Sequence, residues 1–217
     1  MKILAVDTAL SGCSVALLEH DQILAHIFEA MDRGHAERLA PIVEEAVRGF
    51  DLTALDRLAV TTGPGTFTGQ RVGLAFMRGL RLALKRPLTG VTTLEVIAAS
   101  AMYETKQSRA AVIHDARREE AYLLLQDGDA TVQQPVVMLF SDAIERIRAF
   151  GPCAVAGTGA EAAKEGLGGE FVLSGVRQPD ALWVARLAQK LAPSNEAPGP
   201  LYLRAPDAKL PGGKTLV

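Results

Sequence analysis

The sequence predicts an α/β protein of two lobes with similar architecture, and three observations carry that expectation. An order of three short strands followed by helix, strand and helix occurs twice along the 217 residues. Apolar residues make up 48% of the chain, enough to fill real cores in one large domain or two small ones. Residues 60–82 force a strand, a tight glycine turn and a long helix in succession, and the first lobe is organised around that corner.

Taken in order, residues 3–7, 14–19 and 22–29 read as strands, the last two joined by His20-Asp21 at hairpin spacing. A helical stripe of Leu39, Ile42, Val43, Ala46 and Val47 follows and closes near Gly49. Pro41 inside it marks either a kink or the true helix start. Residues 58–62 alternate as a buried strand, and Gly63-Pro64-Gly65 ends it, because proline cannot continue a central ladder. Thr66 or Thr68 then caps a helix that runs towards Pro87. Its apolar residues, among them Val72, Leu74, Ala75, Met77 and Leu82, fall on more than one side, which predicts burial on two faces. A strand over 88–92 and a helix over 93–103 complete the first set.

Strands over 110–115, 121–126 and 131–139 restart the order, with Asp127-Gly128 as a hairpin turn. A helix over 141–150, a strand over 153–156, a Gly157-Thr158-Gly159 turn, a helix from Ala160, a weak strand over 171–173 and a helix over 180–191 follow. The lobes are expected to be 1–104 and 105–217, with a linker at 193–200 and a tail from about 201 lying on one lobe or on a partner.

Lys plus Arg total 23 against 25 Asp plus Glu, a balance that does not hold nucleic acid by charge alone. No apolar run approaches the ~20 residues of a membrane span, and the first apolar run stops at Asp7, too short for a signal-peptide core; the expectation is a cytoplasmic protein without membrane contact. Cys13 and Cys153 stand far apart without CxxC spacing or a neighbouring histidine, which predicts two reduced thiols.

A strand, a glycine turn and a helix N-terminus is also an arrangement that holds phosphate. Here no lysine follows the second glycine, and Gly63-Pro64-Gly65 is not the dinucleotide pattern, so a plain packing turn stands as the other reading.

Several motifs span nearly the whole chain. They are Val6-Asp7-Thr8 with Ser14-Val15-Ala16-Leu17, Gly34-His35-Ala36-Glu37-Arg38-Leu39 with Pro41, and Thr62-Gly63-Pro64-Gly65-Thr66-Phe67-Thr68-Gly69 with Arg71-Val72-Gly73. Asp115-Ala116-Arg117 with Glu120-Ala121-Tyr122, Ala156-Gly157-Thr158-Gly159-Ala160 and Leu201-Tyr202-Leu203-Arg204 complete the set. With them the chain resembles the actin, sugar-kinase and Hsp70 superfamily and, within it, the TsaB family needed to make threonylcarbamoyladenosine in tRNA. The resemblance implies ribonuclease-H-like lobes, each a mixed sheet flanked by helices. Departures are Thr66 where serine is usual, Gln70 where leucine is usual, and Ala9 where the first loop usually carries a hydroxyl.

The resemblance further implies an accessory subunit that docks on TsaD and works with TsaE, in an assembly that uses ATP and magnesium and meets tRNA only as a complex. The same surface is expected to pair two copies. TsaD carries two histidines four apart on the corresponding helix, where both imidazoles reach one metal. Here His35 has Leu39 at that spacing, so no metal site and no catalytic residue are expected, and no cofactor is expected on this chain alone. Candidate interface residues are His35, Leu39, Ile42, Val43 and Ala46 on the first helix and Arg71, Val72, Leu74, Ala75, Arg78 and Leu82 on the second. Their alternative use is to pack on their own sheet, which suffices for the first helix. Asp7, Thr8, Ser14, Gly63, Gly65, Asp115 and Arg117 are the nucleotide-proximal candidates implied by the superfamily. The alternative functions are a stand-alone ATPase or kinase using Asp7 and the glycine turns, and a metal peptidase.

Overall fold

Two runs of alternating apolar strands build two five-stranded sheets in a computed structural model that describes residues 1–194 and 196–204. In the first, β1 (Lys2–Asp7), β2 (Gly12–Glu19) and β3 (Gln22–Ala30) form an antiparallel meander, and β4 (Arg57–Thr61) and β5 (Leu88–Val91) add in parallel, giving the order β3-β2-β1-β4-β5. The second repeats the plan. β6 (Arg109–Asp115), β7 (Glu120–Asp127) and β8 (Ala130–Leu139) are antiparallel, β9 (Ala154–Ala156) and β10 (Val172–Leu173) are parallel, and the order is β10-β9-β6-β7-β8. Asp127 belongs to β7, paired with Ala130, so the hairpin turns at Gly128-Asp129 rather than one residue earlier.

Helices lie in layers. On the outer face of the first sheet, α1 (His35–Ala46) and α2 (Phe67–Leu84) share a core with Leu4, Val6, Val15 and Leu58. α1 starts at His35 and carries Pro41 inside, solvent-exposed. On the outer face of the second sheet lie α4 (Phe140–Phe150) and α5 (Ala160–Gly166). Between the sheets lie α3 (Thr93–Thr105) and α6 (Ala181–Lys190), which touch each other through Tyr103 and Trp183, 5.2 Å between ring centroids. These two are exchanged relative to chain order. α3 follows the first sheet but packs Leu94, Ile97, Ala98 and Ala101 on Val112, Leu124 and Ala154 of the second. α6 follows the second sheet but packs Ala181, Val184 and Ala185 on Ile3, Ala5 and Ala16 of the first.

α6 is pinned at both ends. The Ala181 N–H donates to Ser14 Oγ at 2.9 Å, and the Arg57 guanidinium donates to the carbonyls of Ala188 and Leu191, satisfying groups that a helix end leaves open. Cys13 and Cys153 are free, buried in separate cores, and desolvation pushes their thiols up to about 12 and about 11. Among the described residues no helix is long and apolar enough to cross a membrane.

Candidate functional site

The start of α2 is the place where this fold would hold an anion, and the N–H groups of Thr66, Gly69 and Gln70 there are satisfied by the chain itself. Thr66 caps the helix, its Oγ1 accepting from Gly69 N at 3.1 Å, while Thr68 lies exposed inside the first turn. The loop after β1 lies directly on this turn. Thr66 N donates to the Ala9 carbonyl at 2.8 Å, Thr8 Oγ1 donates to the Gly69 carbonyl at 2.7 Å, and Gly73 N donates to Thr8 Oγ1 at 3.0 Å. A Cβ at Gly65 would meet Ala9 O, at Gly69 would meet Thr8 O, and at Gly73 would come 2.6 Å from Thr8 Oγ1. Gln70 folds back, Nε2 donating to the Gly65 carbonyl at 2.8 Å, and its Oε1 fills the space beside Gly63, which has φ +108°. Gly65, Gly69 and Gly73 therefore serve close packing against Thr8 and Ala9, which is the plainer of the two readings of this turn.

Asp7 is sealed beneath that loop. Its Oδ1 accepts from Ala9 N at 3.1 Å and from the Thr61 hydroxyl, while the buried Oδ2 has no partner. Desolvation by full burial, opposed by the Thr61 and Ala9 hydrogen bonds and helped by the Asp180 charge, raises this carboxyl to about 7. Such a group does not fit a magnesium–phosphate ligand, since one oxygen is taken by Ala9 N and the Thr61 hydroxyl and the other is buried facing protein. Thr8 is spent on α2 and Ser14 on α6, so neither reaches a nucleotide. Among the described residues no group of three His, Cys, Asp or Glu is placed to hold a metal ion.

The second lobe places Asp115 and Arg117 at the mouth of a cleft of about 600 Å³ between the lobes. Its walls include Leu10, Ser11, Pro64, Thr66 and Phe67 from the first lobe, and His114, Asp115, Arg117, Tyr122 and Thr158 from the second. Asp115 Oδ1 accepts from Arg117 N at 2.7 Å, and Thr158 Oγ1 accepts from Asp115 N at 3.0 Å. Burial holds His114 down to about 4, and its Nδ1 shares a hydrogen bond with the Thr158 hydroxyl at 3.2 Å. Arg117, Arg118 and Glu119 all take positive φ, +63°, +57° and +62°, a left-handed turn that costs roughly 1–2 kcal/mol per non-glycine residue.

Of the candidate interface residues, Leu39, Ile42, Val43 and Ala46 lie in the first lobe's core, and so does Leu74, 3% exposed. This corrects their assignment to a surface: the lobe's own sheet already uses them. His35 is buried too, its Nε2–H donating to the Leu10 carbonyl at 3.0 Å, which ties α1 to the loop over α2. Burial on two faces is also corrected for the lone chain. One side of α2 is covered, and Phe67, Arg71, Ala75, Arg78, Gly79, Leu82 and Ala83 are exposed, with Leu82 at 73% and Val72 half-buried beside them. α1 packs against α2, and its residues Ala36, Ala40 and Pro41 are exposed. Of the glycines on α2 only Gly79 has nothing within 4 Å of a Cβ, so it alone leaves room for a neighbouring backbone. Phe67 is missing from the interface candidates read from the sequence, and its helical spacing to Arg71, Ala75, Arg78 and Leu82 was the available signal.

Two β-β-β-α-β-α-β-α units that bring their last helices together between the sheets define a two-lobed fold of the actin, sugar-kinase and Hsp70 type. A family model described as "TsaD: tRNA N6-adenosine threonylcarbamoyltransferase" matches residues 22–178, and the chain belongs to that family. Relatives named "tRNA threonylcarbamoyladenosine biosynthesis protein TsaB" include that of Escherichia coli K12, 40% identical over 124 residues, which are 56% of this chain and 53% of that protein. The match thus spans about half the length of the curated TsaB relatives, and the resemblance to TsaB read from the motifs is borne out by their names. An uncharacterized protein of Mycobacterium bovis is 37% identical over 214 residues, 95% of this chain and 93% of its own. Among solved structures, a Pseudomonas aeruginosa protein described as uncharacterized with similarity to peptidase YEAZ superposes with a TM-score of 0.80 at 32% identity, covering 94% of this chain and 99% of that one. YeaZ from the same organism gives 0.74 at 31%, covering 88% and 92%.

Proposed function

We propose that this chain is a non-catalytic docking subunit of the cytoplasmic assembly that makes threonylcarbamoyladenosine in tRNA, joined through the outer faces of α1 and α2 to TsaD. The observation that carries this reading is the pairing of a closed anion corner with an open helix. The turn where a nucleotide's phosphates would lie is filled by Thr8, Ala9 and Gln70, while α2 leaves Ala75, Gly79, Leu82 and Ala83 in water. Small residues on both helices let two like helices approach closely and form a four-helix interface, with Arg71 and Arg78 at its rim. In this reading TsaE and tRNA join through the complex, ATP and magnesium belong to the assembly, and two copies pair by the same face when TsaD is absent.

Light scattering on the chain mixed with TsaD tests it. A 1:1 complex is expected, and Leu82→Asp is expected to weaken it at least tenfold while leaving the melting temperature of the lone chain unchanged, because Leu82 is exposed. Leu74 is unsuitable for this purpose, since a charge there attacks the core. No complex with the parent chain, or an unaltered complex with Leu82→Asp, overturns the reading. Magnesium-ATP binding and turnover by the lone chain, followed by titration calorimetry, would replace it with the stand-alone ATPase.

A further inference from the structure

We infer that the surface running from Gly90 and Arg78 past the start of α2 to the β6–β7 hairpin is a receptor groove for an extended peptide of the type proline–x–proline–x–tyrosine–x–arginine, occupied in this chain by its own residues 198–204, of which 201–204 form one wall of the interlobe cleft. This goes beyond docking on α2, and Arg71 and Arg78, at the rim of that face, also hold the segment. After α6 the chain runs back along the first lobe, where the Arg78 guanidinium donates to the Pro198 carbonyl at 2.7 and 3.1 Å. Pro198 fits against Gly90, where a Cβ would come 2.6 Å from the proline ring. Leu201 N donates to the Thr62 carbonyl at 2.7 Å, continuing from the strand that ends at the glycine turn.

Tyr202 then stacks on Phe67, 6.1 Å between centroids, and its hydroxyl accepts from Arg71 Nε at 2.8 Å, with the same guanidinium 3.4 Å from the Phe67 ring. Arg204 crosses to the second lobe. It donates to the Ala116 carbonyl at 2.7 Å and pairs with Glu120, thereby holding the left-handed turn from its open side. The recognition elements are those of a peptide site: one main-chain hydrogen bond to the Thr62 carbonyl, a guanidinium on the Pro198 carbonyl, a ring slot, and a carbonyl and a carboxylate for the Arg204 guanidinium. Because Arg71 and Phe67 sit on α2 while Ala116 and Glu120 sit on the β6–β7 hairpin, the occupant ties the lobes together opposite the α3–α6 contact.

The test uses the full chain with Tyr202→Ala and Arg204→Ala combined, followed by amide hydrogen exchange. Exchange is expected to rise about tenfold across 62–71 and 115–121, the scale of one or two lost hydrogen bonds, with the sheet cores unchanged. A synthetic peptide spanning residues 198–204 should restore protection saturably, and the same peptide carrying both substitutions should not. Arg204→Gln alone serves if the double variant fails to fold, with the rise then confined to 115–121. A folded variant that exchanges like the parent, or one that loosens but gains nothing from saturating peptide, overturns the inference.

Discussion

Gly69→Ala is expected to destabilise the first lobe by about 3–5 kcal/mol, a large share of the roughly 5–15 kcal/mol that holds a domain together. The Cβ would overlap the Thr8 carbonyl oxygen and come 2.6 Å from Thr66 Oγ1. The cause is space, since Gly69 lies in regular helix and no positive φ is recorded for it. Thr8 cannot step aside, being 1% exposed and held by its bonds to Gly69 O and Gly73 N. Overpacking costs about 1–3 kcal/mol and occasionally more, and each of the two hydrogen bonds adds about 1 kcal/mol when broken.

Gly79→Ala is the matched control on the same helix. Nothing lies within 4 Å of its Cβ, so removing a helical glycine should stabilise the lone chain by up to about 1 kcal/mol. Urea midpoints of the two variants are therefore expected to move in opposite directions. Equal shifts would mean that α2 is not seated on the Thr8 loop. If α2 docks against a second helix at Gly79, the same alanine should also weaken that complex, so stability and association would change in opposite senses.

The local elements were legible because each depends on neighbours in sequence. The strand ending at Thr61, the turn at Gly63 and the Thr66 cap follow from alternation, proline chemistry and a hydroxyl at the right position. The destinations of buried polar residues were not legible, because they depend on which distant element arrives above them. Ser14 resembles a nucleotide contact by motif, yet its hydroxyl receives the N–H of Ala181, 167 residues later, because α6 returns to the first sheet. Asp7 has the right place for a metal ligand and the wrong surroundings, since Ala9 and Thr61 close over it. The tail was expected on one lobe or on a partner; residues 201–204 touch both lobes, and 205–217 lie outside the described residues. Arg71 and Arg78 were read as rim residues of an interface, and each has a partner in the returning chain that periodicity does not show.

Asp7→Asn is expected to reverse sign with pH. A carboxyl raised from 3.8 to about 7 binds a proton in the folded chain over a range where the unfolded chain has released it. Its contribution to stability is fully present below about pH 4 and is lost as pH rises through about 7, after which the loss is constant. Three pKa units correspond to a penalty of about 4 kcal/mol above neutrality, at 1.36 kcal/mol per unit. Asparagine removes that penalty. Its Oδ1 can still accept from Ala9 N and Thr61 Oγ1, but its amide nitrogen would occupy the unpartnered Oδ2 position and bury a second donor, at a cost of about 1 kcal/mol. The variant should thus be more stable than the parent by about 3 kcal/mol at pH 8 and less stable by about 1 kcal/mol at pH 3, with equal stabilities at about pH 4.5. Groups such as His26, whose pKa is raised by its hydrogen bond to Asp180, titrate in both proteins and cancel in the difference. Denaturant melts of both proteins across this range give the crossing directly. A constant loss at every pH would show Asp7 to be ionised and paired, and the corner beneath Thr8 would again be open to a cation.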